Sequence, residues 1–248
     1  RRGSLCAMTQ NPAFFWCCGG VLVDHIGRTA ADVQPKQSNP GAVRLNVGGV
    51  ALNIARALRF HGAEVALTGV VGRDLSGELV RNALREAGVI ERLLETEGTT
   101  GAYLAIEDAN GDMFAGVSDL SASEISPPDA FANALAEAPA DTWLVADANL
   151  TPDQLAALPP RRIAAEAVSA PKASRLIGQL PRLAALFCNL SEAQALGVVA
   201  ASAKDAALGT GAGDAFTAGA LYALATGAAP HEALTAAITS AASHLETP

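Results

Sequence analysis

Short strand-like runs alternate with helical segments along most of this chain, and this alternation constrains the fold more than any other feature. The runs, rich in β-branched, aromatic and small apolar residues, are Phe14 to Asp24, Val65 to Val71, Tyr103 to Glu107, Trp143 to Asp147, Ile163 to Val168 and Leu186 to Cys188. Strands separated by helices pair in parallel, and a parallel sheet needs helices on both faces. The sequence therefore predicts an α/β fold with three layers, α/β/α, around a mainly parallel central sheet.

Several helix ends carry their own signals. Gly88 follows a segment with helical spacing and is placed to end it in a left-handed conformation. Thr151 and Ser191 are each followed three residues later by a glutamine, Gln154 and Gln194, which is typical of a capping box. Both residues are therefore predicted to begin helices.

Two stretches break the alternation, at about 32–47 and 98–120. The first is polar and rich in Pro and Gly, and the second contains the turn signal Asn110-Gly111 before Met113. We expect both to supply strands to a small β-sheet lid outside the main sheet. The whole chain, 1–248, is predicted to be a single domain.

Composition narrows the class of protein. Half of the 248 residues are hydrophobic, the net charge is -8 and the pI is near 5.0. Such an acidic surface is unsuited to a nucleic-acid backbone, and no apolar stretch is long enough to cross a membrane. Its four cysteines fit neither a zinc site nor a disulfide scaffold, so a cytoplasmic protein is expected. The neighbours Cys17 and Cys18 are predicted to be buried on opposite faces of a strand.

The strongest chemical signal is the segment Gly209 to Phe216, which leads into an apolar helix. The small residues Gly211, Ala212 and Gly213 allow backbone amides to approach a ligand, and the start of a helix favours an anion. Asp214 adds a carboxylate, which such an anion site would not need. The combination indicates phosphoryl transfer with Asp214 as the base, and the alternative is a glycine-rich loop with Asp214 as a helix cap.

The run Thr210 to Phe216 resembles the C-terminal signature of the ribokinase-like, or phosphofructokinase-B type, carbohydrate kinases. The resemblance implies a ribokinase-like fold and Asp214 as catalytic base, with the amides of Gly211, Ala212 and Gly213 forming the anion hole. It also implies ATP as cofactor, bound in part by Thr210, Gly211 and Gly213.

A second block, Asn46 to Ala55, is similar to the N-terminal Gly-Gly signature of the same family, which implies that Gly48, Gly49 and Asn53 bind the sugar. Asp24, after the first strand, matches the family's aspartate that binds sugar hydroxyls. Without the first signature, a glycine turn with Asn53 on the solvent face would be the preferred interpretation. For Asp24 the alternative is a charge on a surface loop.

Asn189 and Glu192 resemble the family's Asn-x-x-Glu motif. The likeness implies that Asn189 contributes to the cofactor site and that Glu192 acts on Mg²⁺ through water, because Mg²⁺ keeps several of its waters in proteins. For so short a motif, a helix cap followed by a surface glutamate is the alternative.

Further blocks are similar to the pseudouridine kinases within this family; they are Ser38 to Gly41, Gly101 to Ile106, Asn110 to Met113, Asp147 to Leu150 and Val168 to Lys172. The likeness implies ATP-dependent phosphorylation of the 5′-hydroxyl of pseudouridine, with Tyr103 and Lys172 as further substrate contacts. The alternatives are a ribokinase or another sugar or nucleoside kinase. The family also implies a homodimer joined through the lid, and it raises K⁺ as a candidate cofactor.

One departure from the family lies between 196 and 210, where the strands and helices that form much of the family's ATP site are missing. We expect an omitted segment rather than a true deletion, because both Asn53 and Asp214 are retained. A true deletion would instead give a non-catalytic nucleoside-binding or regulatory protein.

Overall fold

The computed structural model of this chain describes residues 13–198 and 212–245. The strands of these ranges are, in chain order, β1 Phe14–Cys18, β2 Leu22–Thr29, β3 Gly41–Gly48, β4 Glu64–Thr68, β5 Val70–Gly72, β6 Ile90–Glu91, β7 Leu94–Thr96, β8 Ala102–Glu107, β9 Met113–Asp119, β10 Trp143–Asp147, β11 Arg162–Glu166 and β12 Leu183–Phe187. The α-helices are α1 Val50–Phe60, α2 Leu75–Ala87, α3 Ser121–Glu124, α4 Pro128–Ala136, α5 Pro152–Ala157, α6 Ala170–Ala173, α7 Leu190–Leu196, α8 Ala212–Ala225 and α9 Pro230–Leu245. A 3-10 helix, Ser174–Arg182, precedes β12.

The main sheet has six strands in the order β12-β11-β10-β1-β4-β6, and every pairing in it is parallel. The predicted parallel sheet is confirmed. A separate pair, β5 and β7, is also parallel. Among the described residues no helix is both long and apolar enough to span a bilayer.

Alternate residues of β1 separate the core into two layers. Phe15 and Cys17 pack with α1, α2 and α8 on one face, whereas Trp16 and Cys18 pack with α4 and α5 on the other. Because successive strand residues point to opposite faces, the two cysteines are both fully buried but in different clusters. Burial raises the pKa of both thiols, so the prediction that they act as small hydrophobic residues is confirmed.

The second sheet has four strands in the order β3-β2-β8-β9, and both antiparallel and parallel pairings occur in it. Both stretches that break the alternation supply strands to it. The hairpin predicted at Asn110-Gly111 joins β8 and β9, and Gly111 has a φ of 93° in the turn. The three-layer α/β prediction with a small additional β-sheet is therefore confirmed.

The single strand expected over Phe14 to Asp24 is wrong. The chain forms β1 in the main sheet, bends at Gly19 and Gly20, and continues as β2 in the second sheet. Gly19 has a φ of 152°, and a methyl group there would overlap the carboxylate of Asp147. Gly19 and Gly20 therefore form a link, within one apolar run, between the main sheet and the second sheet.

Other boundaries differ in detail. The run Val65 to Val71 divides into β4 and β5, and β11 ends before Val168, whose φ of 66° is incompatible with a strand. Helix α7 begins after Asn189 rather than at Ser191, because the Asn189 side chain accepts the amide of Glu192 in a capping box. The capping box of Thr151 and the left-handed end of α2 at Gly88 are confirmed.

Candidate functional site

The candidate site lies where the order of the main sheet reverses. From β1 the chain builds β4 and β6 on one side, then returns to build β10, β11 and β12 on the other. The connections after β1 and β10 lead to helices on opposite faces of the sheet, α1 and α5. Open α/β sheets bind ligands at the carboxyl ends of the strands at such a switch point, and we call this region the crevice.

Asp147, the last residue of β10, occupies this crevice and is 1% exposed. Its carboxylate accepts hydrogen bonds from the backbone amides of Gly20 at 3.0 Å, Ala51 at 3.0 Å and Asn149 at 2.8 Å. Burial raises the pKa of Asp147, while the hydrogen bonds from Asn149 and Gly20 and the charge of Lys172 oppose this rise. Sequence reasoning did not identify Asp147 as a site residue, although a carboxylate that ends a buried apolar strand was a usable signal.

Asn53 and Asp214 meet above this crevice. Asn53 lies on α1 and Asp214 in the first turn of α8, and the Asn53 side-chain amide donates a hydrogen bond of 2.9 Å to the Asp214 carboxylate. Burial raises the pKa of Asp214 to about 6; the hydrogen bond from Asn53 lowers it and the charge of Asp147 raises it. A carboxylate in this range can accept a proton near neutral pH.

The glycines before α1 allow close backbone approach. Gly49 has a φ of 99°, and a methyl group there would overlap the carbonyl oxygen of Gly20. A methyl group at Gly48 would lie 2.5 Å from the Asp24 carboxylate and 3.9 Å from the Asn53 side-chain oxygen. The structure thus brings Asp24, Gly48 and Asn53 together, as the resemblance implies, and burial raises the pKa of Asp24.

Tyr103 lies beside Asp24 on the second sheet. Asp24 pairs with Asn46 on one side and Tyr103 on the other, and Tyr103 pairs with Ser118, so the four side chains form one row on one face. The Tyr103 ring packs over Gly116. This row extends the polar surface that begins at Asp24.

Lys172 approaches the crevice from α6. Its ammonium group donates a hydrogen bond of 2.7 Å to the Asn149 side chain, which in turn lies against Gly20. Burial lowers the pKa of Lys172, and the charge of Asp147 raises it. The residue is therefore held at the same end of the sheet as Asp147.

Glu166 ends β11 and accepts a hydrogen bond of 2.7 Å from the hydroxyl of Thr217, one helical turn after Asp214. Burial raises the pKa of Glu166 well above its usual range; the Thr217 hydrogen bond opposes this, while the charges of Asp214, Glu192 and Asp147 add to it. Sequence reasoning missed this pair, because no local pattern joins a strand end to a helix so distant in the chain.

Asn189 and Glu192 form a reciprocal capping box at the start of α7. Both carboxylate oxygens of Glu192 accept hydrogen bonds from Asn189, and Glu192 is 5% exposed, so it is not the surface residue of the alternative interpretation. Within 13–198 and 212–245, no group of three His, Cys, Asp or Glu residues could ligate a metal ion directly. A carboxylate has further lone pairs, so Glu192 fits a magnesium ion that keeps its waters.

The glycine-rich segment is described from Ala212 onward, and Thr210 and Gly211 lie outside the described residues. Ala212 is buried, whereas Gly213 is exposed, and a methyl group there would meet no atom of the described residues within 4 Å. The first turn of α8 carries Gly213 and Asp214 side by side, at the helix end whose amides favour anions.

Several known proteins are similar to this chain in sequence or structure. The model of the pfkB family of carbohydrate kinases matches residues 14–196. The pseudouridine kinase of Escherichia coli (strain K12) is 26% identical over 193 residues, which cover 75% of this chain and 62% of that protein. The chain thus spans less than two thirds of the length of this relative.

Solved structures share the fold. A carbohydrate kinase from Agrobacterium tumefaciens is 28% identical, with a TM-score of 0.81 over 93% of this chain and 90% of that chain. The ribokinase from Cryptococcus neoformans var. grubii serotype A, solved in complex with ADP, is 18% identical, with a TM-score of 0.66 over 92% and 93%. The predicted ribokinase-like fold is confirmed.

Proposed function

The chain belongs to the pfkB family of carbohydrate kinases, and from this premise we propose that it transfers the γ-phosphoryl group of ATP to a hydroxyl group of a ribosyl nucleoside. The observation that carries the proposal is the hydrogen bond between Asn53 and Asp214, which joins the two signature segments at one point. Asp214 accepts the proton of the attacking hydroxyl, and its pKa of about 6 suits that role near neutral pH.

The positive end of α8 stabilises charge on the transferred group. Free backbone amides in the first helical turn donate to phosphoryl oxygens, and the open space at Gly213 allows a phosphate to approach. Gly211, Ala212 and Gly213 form the anion hole in this proposal, and Thr210 binds the nucleotide. The reaction depends mainly on alignment of the hydroxyl with the γ-phosphate.

The acceptor we propose is pseudouridine, phosphorylated at its 5′-hydroxyl. The likeness to the pseudouridine kinase of Escherichia coli supports this choice over other nucleosides. The ribose lies against Asp24, Gly48, Gly49 and Asn53, because carboxylate and amide groups bind vicinal hydroxyls. Tyr103 then lies beside the base. Lys172, which is held at the same end of the sheet as Asp147, donates a hydrogen bond to the nucleoside.

ATP enters with Mg²⁺, which lowers the charge of the phosphates. Glu192 would hold the ion through its waters, and Asn189 positions Glu192 through the capping box. The ADP bound by the ribokinase of Cryptococcus neoformans supports a nucleotide cofactor for this fold. We include K⁺ as a candidate activator, to be tested by replacement with Na⁺.

A homodimer through the second sheet is also part of the proposal. The face opposite Asp24 carries exposed apolar side chains, namely Val43, Leu45, Leu104 and Val117. Contiguous apolar surface of this kind is typical of protein interfaces. Sedimentation of the purified chain and of a Leu104→Glu, Val117→Glu variant tests it, since a dimer would separate into monomers in the variant.

The decisive experiment measures ATP-dependent phosphate transfer by the purified chain to pseudouridine, uridine, ribose and fructose 6-phosphate. Turnover of pseudouridine above the other acceptors supports the full proposal, and preference for another acceptor retains the mechanism but replaces the substrate. Nucleoside binding that is independent of ATP, without turnover of any acceptor, would support the non-catalytic alternative and a true deletion between 196 and 210.

A further inference from the structure

Helix α1 begins without a cap of its own. Its N-cap residue is Gly49, which has no side chain, and the first turn of α1 contains no acidic residue. The first amides of a helix have no partner within the helix and need an acceptor from elsewhere. The Asp147 carboxylate supplies one, because it accepts the amide of Ala51 at 3.0 Å from a different element of the fold.

The same carboxylate holds the two loops that flank the crevice. Gly20, after β1, donates to both of its oxygens, and Asn149, after β10, donates at 2.8 Å. A methyl group at Gly19 would overlap this carboxylate, so the loop after β1 packs directly against it. One buried side chain therefore fixes three separate segments relative to one another.

We propose that Asp147 is a positioning residue, whose buried carboxylate holds the first turn of α1 against the ends of β1 and β10 and thereby keeps Asn53 within hydrogen-bond distance of Asp214. Asn53 lies two residues after Ala51 on the same helix, so a displaced first turn moves Asn53 with it. The inference rests on the proposed function, since the Asn53 to Asp214 contact affects turnover only in a kinase.

A positioning role and a purely electrostatic role of Asp147 predict opposite changes in the pKa of Asp214. Two carboxylates face Asp214, Asp147 from β10 and Glu166 from β11. Lys172 from α6 faces Asp147, and Glu192 from α7 faces Glu166. For the pKa of Asp214, the hydrogen bond from Asn53 has a larger effect than the charge of Asp147, and the two have opposite signs.

The test uses Asp147→Asn, in which an amide nitrogen replaces one acceptor oxygen. At the Oδ2 position this nitrogen cannot accept the Ala51 proton, and Gly20 keeps only its 3.2 Å bond to Oδ1. If Asp147 positions Asn53, the variant loses the Asn53 hydrogen bond. The acid limb of the pH profile of kcat/KM then moves to higher pH, and kcat/KM itself falls by about tenfold or more. If Asp147 acts only through its charge, the limb moves to lower pH; if it only stabilises the fold, the limb does not move. Either of these outcomes overturns the proposal.

Asp74→Asn is the matched control. Asp74 also caps a helix, α2, and its carboxylate accepts the amides of Gly77 and Thr100 and the Thr100 hydroxyl, but it does not contact the crevice. We expect Asp74→Asn to lower stability without moving the acid limb. The combination of Asp147→Asn with Asn53→Ala is a second check, since without Asn53 only the charge effect remains and the limb moves to lower pH than in Asn53→Ala alone.

Two measurements do not require turnover. NMR titration of the Asp214 carboxyl reports its pKa directly, and amide hydrogen exchange reports whether Ala51 loses protection in Asp147→Asn but not in Asp74→Asn. A wild-type chain inactive on every acceptor would refute the proposed function, while these two readouts would still decide the role of Asp147. If Asp147→Asn gives no folded protein, Asp147→Ser, which retains one acceptor oxygen and adds no bulk, is measured in the same way.

Discussion

Asn53 and Asp214 are 161 positions apart in the chain, yet the amide of one donates a hydrogen bond of 2.9 Å to the carboxylate of the other. The contact joins α1 to α8, and both helices pack in the same core layer on one face of the main sheet. Because the bond stabilises the ionised form of a partly buried carboxylate, it controls the protonation state of the proposed base.

Replacement of the proposed base separates catalysis from stability. We expect Asp214→Asn to lower kcat by about 10²- to 10⁴-fold, because no group then accepts the hydroxyl proton. The variant should unfold at a higher temperature at pH 8, where ionised Asp214 destabilises the fold by at most about 3 kcal/mol for a pKa raised from 3.8 to about 6. This gain disappears below about pH 4. Asp153→Asn, which alters an exposed aspartate in the first turn of α5, should change neither quantity.

The pH dependence of turnover should depend on Asn53. The ionised form of Asp214 is the base, so kcat/KM falls as pH falls through about 6. Asn53→Ala removes a hydrogen bond that lowers this pKa, and the acid limb should therefore move to higher pH. A limb that stays in place in this variant would mean that another group titrates.

Thr217 provides a test of how the buried Glu166 carboxyl affects the stability of the fold. Thr217→Val keeps the shape of the side chain but leaves Glu166 without its hydrogen-bond donor, which should cost about 1–3 kcal/mol of unfolding free energy. The bond favours the charged form of Glu166, so the loss should grow as the pH rises and this carboxyl ionises. Thermal unfolding over a series of pH values measures the loss. Thr235→Val on the exposed face of α9 serves as the control, with an expected change below about 0.5 kcal/mol.

Gly213 distinguishes a ligand site from a plain helix start. A methyl group at this position meets no atom of residues 13–198 and 212–245, so Gly213→Ala should fold normally and be up to about 1 kcal/mol more stable. If phosphate approaches this turn, the methyl group obstructs it, and we expect kcat/KM for ATP to fall about tenfold or more. Gly178→Ala, also in open space, should leave ATP kinetics unchanged. Full activity in Gly213→Ala would contradict the assigned anion hole.

The sequence predicted those parts of the fold and site that local patterns encode. Alternating strands and helices predicted the parallel sheet, and the two signature segments identified Asn53 and Asp214 before their contact was visible. The pattern could not show that the run from Phe14 to Asp24 changes sheets, because apolar residues continue through the glycine link. Asp147 and Glu166 were not selected as site residues, since their partners Ala51 and Thr217 lie on helices distant in the chain.

The β8–β9 hairpin is one continuous segment, and among the strands of residues 13–198 it pairs only with β2. Tyr103, the hairpin residue proposed to contact the acceptor, and the residues proposed for phosphoryl transfer thus belong to separate stretches of chain. Under the proposed function, exchange of this hairpin between relatives would alter which acceptor is preferred while Asn53 and Asp214 stayed unchanged. Acceptor preference would then evolve by segment replacement, independently of the residues that move the phosphoryl group.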